Sequence, residues 1–369
     1  MIYLDSAATT MQKPAAVARA MDFALGHMAS PGRGGHRPAM LAGDTAFRCR
    51  QEAAELFHLD SPEKVVFTFN ATHALNLAIK TLAGPGDTVL ISGYEHNAVT
   101  RPLHAIPGVT VKVAAAPPFD QGAMLGEFSR LMTPEVTLVV CTHVSNVFGF
   151  ILPIEGIAAL CRQRGKRLIV DASQSAGTLP VHMDELGADF IAMPGHKGLY
   201  GPQGTGLLLC GCEDARPLLE GGTGSVSLRQ DMPEFLPDRL EAGTHNVTGI
   251  AGLLEGIRYV RRKGERRILD HERRLTALAA EGLRRQGRFT VFAGDCQAGV
   301  CSFVPRGIDC EALGEKLGER GIALRAGLHC APLAHQTAGT LDSGTLRLSV
   351  SAFNREEEIA RFLRELRAM

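Results

Sequence analysis

From residue 64 onward the chain alternates short apolar runs with longer amphipathic stretches. The runs at residues 65–69, 88–92, 109–113, 136–141, 167–171, 189–193 and 206–210 have strand length and are continuously or mostly apolar. That is the pattern of strands buried on both faces. Helical stretches such as 153–164 separate them. The alternation predicts an α/β fold, a mainly parallel sheet covered by helices on both sides. Ahead of it, Pro14 suits the first turn of a helix reaching about Ala29. Residues 30–38 are turn-rich, and residues 39–58 read as a long helix with Phe47, Ala54 and Leu56 facing inward. Residues 220–245 are irregular, and residues 246–286 read as paired helices with a charge-laced, solvated face that includes Glu272. Beyond Gly287 the order becomes strand (289–292), strand (300–304), helix (310–319), strand (322–325), strand (345–350) and a final helix. This predicts a large domain over 1–250 and a smaller α+β domain over 251–369, with the amino-terminal segment packing on the small one.

Composition narrows the function classes. Thirty-nine basic residues balance thirty-nine acidic ones, which argues against nucleic acid or a membrane surface as partner. No apolar run approaches the length of a membrane span, and the amino terminus lacks a targeting pattern, so a cytoplasmic protein is expected. Nine cysteines stand without CxxC pairing, which reads as reduced thiols and no metal site.

The polar residues cluster where strands end. Lys197, in Met193-Pro194-Gly195-His196-Lys197-Gly198, follows an apolar strand, at the edge where open α/β sheets bind ligands. A lysine shielded from water is more readily neutral, and the free amine forms a Schiff base with an aldehyde. A solvated loop lysine is the competing reading. Asp171 ends another strand; opposite a pyridine nitrogen it would keep the ring protonated, unless it only caps the next helix. Gln174 could reach a ring oxygen. His96 could lie flat on a planar ring or be an ordinary loop residue. Asn70-Ala71-Thr72-His73 precedes a helix and is disposed to hold a phosphate, or simply to cap it. Cys330 lies in a glycine-containing loop over residues 326–344, long enough to suggest function.

In this shared order, Asp171-x-x-Gln174, Gly195-His196-Lys197 and Arg325-Ala326-Gly327-x-His329-Cys330 resemble the cysteine desulfurases of the class V aminotransferase family. The resemblance extends over essentially the whole chain, through Leu4-Asp5-Ser6-Ala7-Ala8, His143-Val144-Ser145-Asn146, Glu241-Ala242-Gly243-Thr244 and Leu346-Arg347-Leu348-Ser349. It implies a fold-type-I homodimer that uses pyridoxal 5'-phosphate to convert L-cysteine to L-alanine. By position, Lys197 would carry the cofactor, Asp171 meet its pyridinium, Gln174 its phenolic oxygen and His96 its ring. Thr72 and His196 would bind the phosphate beside Ala71, with Thr244 arriving from the partner subunit. Asn146 and Arg347 would hold the substrate carboxylate, Arg325, His36 and Ala8 matching further substrate positions. Cys330 would be the nucleophile that becomes a persulfide, its ionisation favoured by Arg325 and His329, in the short-loop group of the family. The sulfur would pass to an acceptor protein, as in iron–sulfur cluster assembly.

Two positions depart from that pattern: Pro194 and Ala71 stand where relatives carry phosphate-binding hydroxyls, a loss that weakens cofactor retention unless Thr223, Ser225 or a water substitutes. Three other readings stay open: a selenocysteine lyase acting on L-selenocysteine, another pyridoxal-phosphate reaction of the same family, and a non-catalytic sulfur-trafficking scaffold that kept the fold.

Overall fold

A computed structural model describes residues 1–31 and 34–369. A two-residue strand, β1 (Ile2–Tyr3), precedes a seven-stranded sheet of β2 (Val65–Thr68), β3 (Thr88–Ser92), β4 (Thr110–Ala114), β5 (Val136–Thr142), β6 (Arg167–Asp171), β7 (Phe190–Pro194) and β8 (Gly206–Cys210). Its spatial order is β2-β8-β7-β6-β5-β3-β4. Only β8 runs against its neighbours; β7, β6, β5, β3 and β4 pair in parallel. Val, Ile and Leu fill β3, β5, β6 and β8, and their side chains enter cores on both faces of the sheet. Because these strands run the same way, their carboxyl ends share one edge, where the turns carrying His96, Asn146, Asp171 and Lys197 emerge.

The smaller sheet is antiparallel, in the order β12-β13-β10-β9, from β9 (Phe289–Phe292), β10 (Val300–Pro305), β12 (Arg325–Gly327) and β13 (Thr345–Ser349). β11 (Ile322–Ala323) pairs in parallel with β1, so the amino-terminal segment packs on this sheet's side of the molecule. Leu4 and Ile2 share a core there with Leu275, Phe303 and Phe362.

The helix Val247–Lys263 packs on the helices Ala15–His27 and Arg37–Leu56, whereas Glu265–Arg285 packs on the small sheet and the final helix. Gly264, at φ 84°, turns the chain between them. Several expectations are corrected. Phe47 is 46% exposed; the inward stripe of its helix is made of Ala39, Ala42, Ala46, Cys49 and Ala53. Glu272 is buried, because it falls in the helical stripe Ile268, Leu269, Glu272, Leu275, Ala279. The expected strand 322–325 is split at Leu324, where the chain changes sheets. The expected loop 326–344 contains the helix Pro332–Ala338, started by proline and ended by Gly339 at φ 71°. Of the turn-rich residues 30–38, residues 32 and 33 lie outside the described residues, and Arg37 and Pro38 already belong to the following helix. Among the described residues, no helix is long and apolar enough to cross a membrane.

Candidate active site

A cavity of about 220 Å³ opens at the carboxyl edge of the large sheet, and Lys197, Asp171, His96, Gln174, Arg325 and Arg347 all line it. Lys197 leaves β7 through two glycine-flanked turn residues. Bulk at Gly195 or Gly198 would collide with Thr205 Oγ1 and with the carbonyl of Ala176, so the loop is held against its neighbours. The Lys197 amine has no protein hydrogen-bond partner among the described residues. Burial lowers its pKa to about 8; Asp171 opposes the shift, and Arg347 and Arg325 add to it.

Asp171 is almost fully buried, and its Oδ1 accepts from the Ser173 N–H at 2.9 Å. It therefore steadies its own turn and caps no helix, the next one beginning only at Met183, while also facing the cavity. Gln174 donates to the Ala7 carbonyl at 3.0 Å. His96 caps the helix Asn97–His104: its Nδ1 accepts from Ala98 N–H at 3.0 Å, which leaves the proton on Nε2. Burial lowers the His96 pKa, so the ring stays neutral.

One wall is the start of the helix Ala71–Leu82. Asn70 caps it by accepting from His73 N–H at 2.9 Å, and among the described residues the N–H groups of Ala71 and Thr72 have no protein acceptor. Unpaired N–H groups at a helix amino terminus favour an anion. His196 and Pro194 line the same cavity. His196 is neutral, its pKa pushed down to about 4 by burial and by Lys197 and Lys13, so it can offer a hydrogen bond but not a charge.

On the small-domain side, Arg325 on β12 and Arg347 on β13 are directly paired across the ladder. Like charges in such a pair repel. Arg347 donates to Asp5 Oδ1 at 2.7 Å and to the Asn146 carbonyl at 3.0 Å, but its buried Nε has no partner. On this side of the cavity two guanidiniums face the single carboxylate of Asp5, which leaves a local excess of positive charge that a substrate carboxylate would neutralise. Asn146 donates its side-chain amide to the His329 carbonyl at 2.8 Å. Ala8 lines the cavity through a turn closed by its N–H on the Asp5 carbonyl at 3.1 Å.

Cys330 sits at the tip of a tight turn in which Ala331 N–H bonds the Leu328 carbonyl at 2.9 Å. Both central residues, His329 and Cys330, have positive φ, 49° and 57°, the signature of a type I′ turn. Non-glycine residues held there store strain of roughly 1–3 kcal/mol each. The turn is pinned from outside by the Asn97 N–H on the Cys330 carbonyl at 2.8 Å, directly beside His96. Cys330 is exposed, with an Arg325 guanidinium nitrogen 4.0 Å from its sulfur. The expected help from His329 is corrected: its ring is buried, bonded through Nε2 to Thr345, and its pKa is pushed down to about 2 by burial and Arg347. A neutral His329 anchors the turn and supplies no positive charge. Of the two, only Arg325 is a cation beside the sulfur.

The structure does not bring every expected residue to this cavity. Thr244 lines a second, more open cavity of about 830 Å³ with Thr223 and Ser225. Neither of these hydroxyls stands at Pro194 within one chain; Ser225 is bonded to Asp238 and Thr223 instead. His36 is exposed as the cap of the helix Arg37–Leu56 and touches neither cavity. The segment bearing Thr244 is fixed by Glu241, which receives Arg50 Nη1 and Nη2 at 2.8 and 2.6 Å, Phe67 N–H at 2.6 Å and His245 at 2.9 Å.

Three contributors carried no role in the sequence reading. Asp5 pairs with Arg347. Lys13 donates to the His196 carbonyl at 2.9 Å, bracing the Lys197 loop from behind. Glu95, fully buried, accepts from Thr142 N–H at 2.8 Å and from Ser92, and burial raises its pKa to about 8, with Asp171 contributing. The strand-end position of Glu95 beside His96 was the available signal.

Residues 2–362 match the model of the family described as aminotransferase class-V. A probable cysteine desulfurase of Mycolicibacterium paratuberculosis is 34% identical over 100% of this chain, which spans 55% of that relative's length. A second, from Mycobacterium leprae, is spanned to 62%. One from Xylella fastidiosa is 36% identical over 99% of this chain and 90% of its own length. Among solved structures, an apo cysteine desulfurase from Thermococcus onnurineus superposes with a TM-score of 0.91 at 30% identity, covering 100% of this chain and 94% of that one.

Proposed function

Because the chain belongs to the class-V aminotransferase family, we propose that it is a pyridoxal-phosphate-dependent cysteine desulfurase. In this reading it converts L-cysteine to L-alanine, retains the sulfur on Cys330 as a persulfide and delivers it to an acceptor protein. The observation that carries the reading is that Cys330 alone among the nine cysteines is exposed, on a strained turn beside the cavity that holds Lys197. Cys49, Cys161 and Cys301, by contrast, are pushed up to about 12 by burial and make poor nucleophiles.

The residues fit the cofactor. Lys197 would hold it covalently, Asp171 would meet its ring nitrogen, Gln174 its phenolic oxygen and His96 its face. The unpartnered N–H groups of Ala71 and Thr72, the Thr72 hydroxyl and His196 would receive its phosphate. Thr244, absent from this cavity in a single chain, would complete the phosphate site from a second subunit, so the active form is a homodimer. When bound, pyridoxal phosphate supplies an electron sink for the substrate's α-carbon.

The protein's own groups do the rest. The excess positive charge of Arg325 and Arg347, with Asn146, orients the substrate carboxylate. Lys197, whose pKa burial lowers to about 8, would take the α-proton once its amine is free. The Cys330 thiolate attacks the substrate sulfur: the S–S bond forms as the C–S bond breaks, the bonding pair stays with the carbon fragment, and protonation there, with return of a proton to the α-carbon, gives alanine. Arg325 favours the thiolate by its charge.

The test is Cys330→Ala assayed for alanine release from L-cysteine and from L-selenocysteine. Loss on both, with Lys197→Ala also inactive, supports the desulfurase. Activity retained on selenocysteine and lost on cysteine would indicate a selenocysteine lyase or dual use, and full activity on cysteine would overturn the reading.

A further inference from the structure

The end of the helix Arg37–Leu56 is tied to the turn before the helix Met183–Leu186 by a backbone bond from Met183 N–H to the Phe57 carbonyl, 2.8 Å long. This bond sets the residues flanking it, His58 and His182, side by side. Their rings stack with centroids 3.7 Å apart and 7° between planes. His182 Nδ1 lies 2.9 Å from Glu185 Oε1, three residues on, and donor atoms of His58, His182 and Glu185 all fall within 4.8 Å of one another. Asp184 adds an oxygen 3.6 Å from His58 Nδ1. No other three such side chains converge in this way among the described residues, and none of these four lines the cavity of Lys197.

We propose that His58, His182 and Glu185, with Asp184 as a fourth donor, form a surface site for a borderline divalent transition-metal ion of the Zn²⁺ class. Two imidazoles in contact repel if both take up protons. Their lone pairs lie in the ring planes and run parallel in the stack, so His58, about half exposed, would turn out of it for one divalent ion to take a lone pair from each ring and offset two carboxylates. Two histidines and a glutamate are a donor set that zinc accepts, and imidazole nitrogen selects Zn²⁺, Cu²⁺ or Ni²⁺ over Mg²⁺ or Ca²⁺. Zinc bonds of about 2.1 Å place two ligand atoms at most about 4.2 Å apart. Glu185 and Asp184 are well exposed and can rotate to close the remaining gap. The ion would clasp the carboxyl end of the long helix to the connection between β6 and β7, away from the catalytic chemistry.

The test is a Zn²⁺ titration of the holoprotein against a chelating dye, in a Cys330→Ser background that removes the exposed thiol, with thermal melting in parallel. One equivalent should bind and raise the melting temperature, and Mg²⁺ should do neither. His58→Gln, His182→Gln and Glu185→Gln should each weaken binding at least about tenfold, since loss of even an outer-shell partner costs 10–100-fold, and should abolish the melting shift. Unchanged Zn²⁺ affinity in the histidine variants, or Zn²⁺ bound no more tightly than Mg²⁺, would overturn the proposal. Glu185, being largely exposed, provides a variant whose folding is not in question.

Discussion

Lys197 offers a sharp test of the cavity's electrostatics. Burial lowers its pKa from 10.5 to about 8, which raises the neutral fraction of the amine at pH 7 about 300-fold over a solvated lysine. Only the neutral amine attacks an aldehyde. Capture of pyridoxal phosphate by cofactor-free protein, followed by absorbance and divided by the rate for a simple primary amine, should show this advantage at neutral pH. The protein's own rate should climb tenfold per pH unit and level off near pH 8. Asp171 opposes the shift, so Asp171→Asn removes a charge that favours the ammonium form, and the levelling point should move to lower pH. A rate that climbs log-linearly through pH 10, or a break that moves upward in Asp171→Asn, would refute the account of Lys197 as a buried, partly neutral amine.

Arg325→Gln should lower kcat/KM for cysteine by roughly 10- to 100-fold, the range for one hydrogen bond to a charged group, with a urea midpoint that does not fall, because Arg325 is exposed and faces the like charge of Arg347. Arg50→Met leaves Glu241 buried without its main partner, and urea unfolding should report a loss of about 3–5 kcal/mol; a change under 1 kcal/mol would mean that water or His245 replaces the arginine. Pro194→Ser should restore a hydroxyl to the phosphate wall and slow cofactor loss on dialysis about tenfold. Equal retention in the two proteins would show that the wall is already complete.

The large sheet was legible because a strand buried on both faces needs an unbroken apolar run, and each of β3, β5, β6 and β8 has one. The site followed from it: parallel strands put Asp171, His96 and Lys197 on one edge whatever the loops do. Features that depend on context were not legible. Phe47 and Glu272 exchange their expected environments because the rest of the helix face, small residues in the helix of Phe47 and large apolar ones around Glu272, and not hydrophobicity at the position itself, decides which side is inward. His329 reads as a charge donor by its place beside Cys330, yet its ring is consumed by Thr345. Thr244 and His36 stand apart from the cavity because the path of the chain, and not local sequence, decides which distant loops reach it. The pairing of Arg325 with Arg347 comes from register in the small sheet, which local sequence does not reveal.

The central claim is that sulfur passes from substrate to Cys330 on its strained turn. Intact and peptide mass spectrometry of the holoprotein after brief exposure to L-cysteine tests it most directly. A gain of one sulfur atom on Cys330, absent from the other eight cysteines and absent in Lys197→Ala, is the predicted result. Alanine formed with no sulfur gained on Cys330, or sulfur found equally on another thiol, would contradict it.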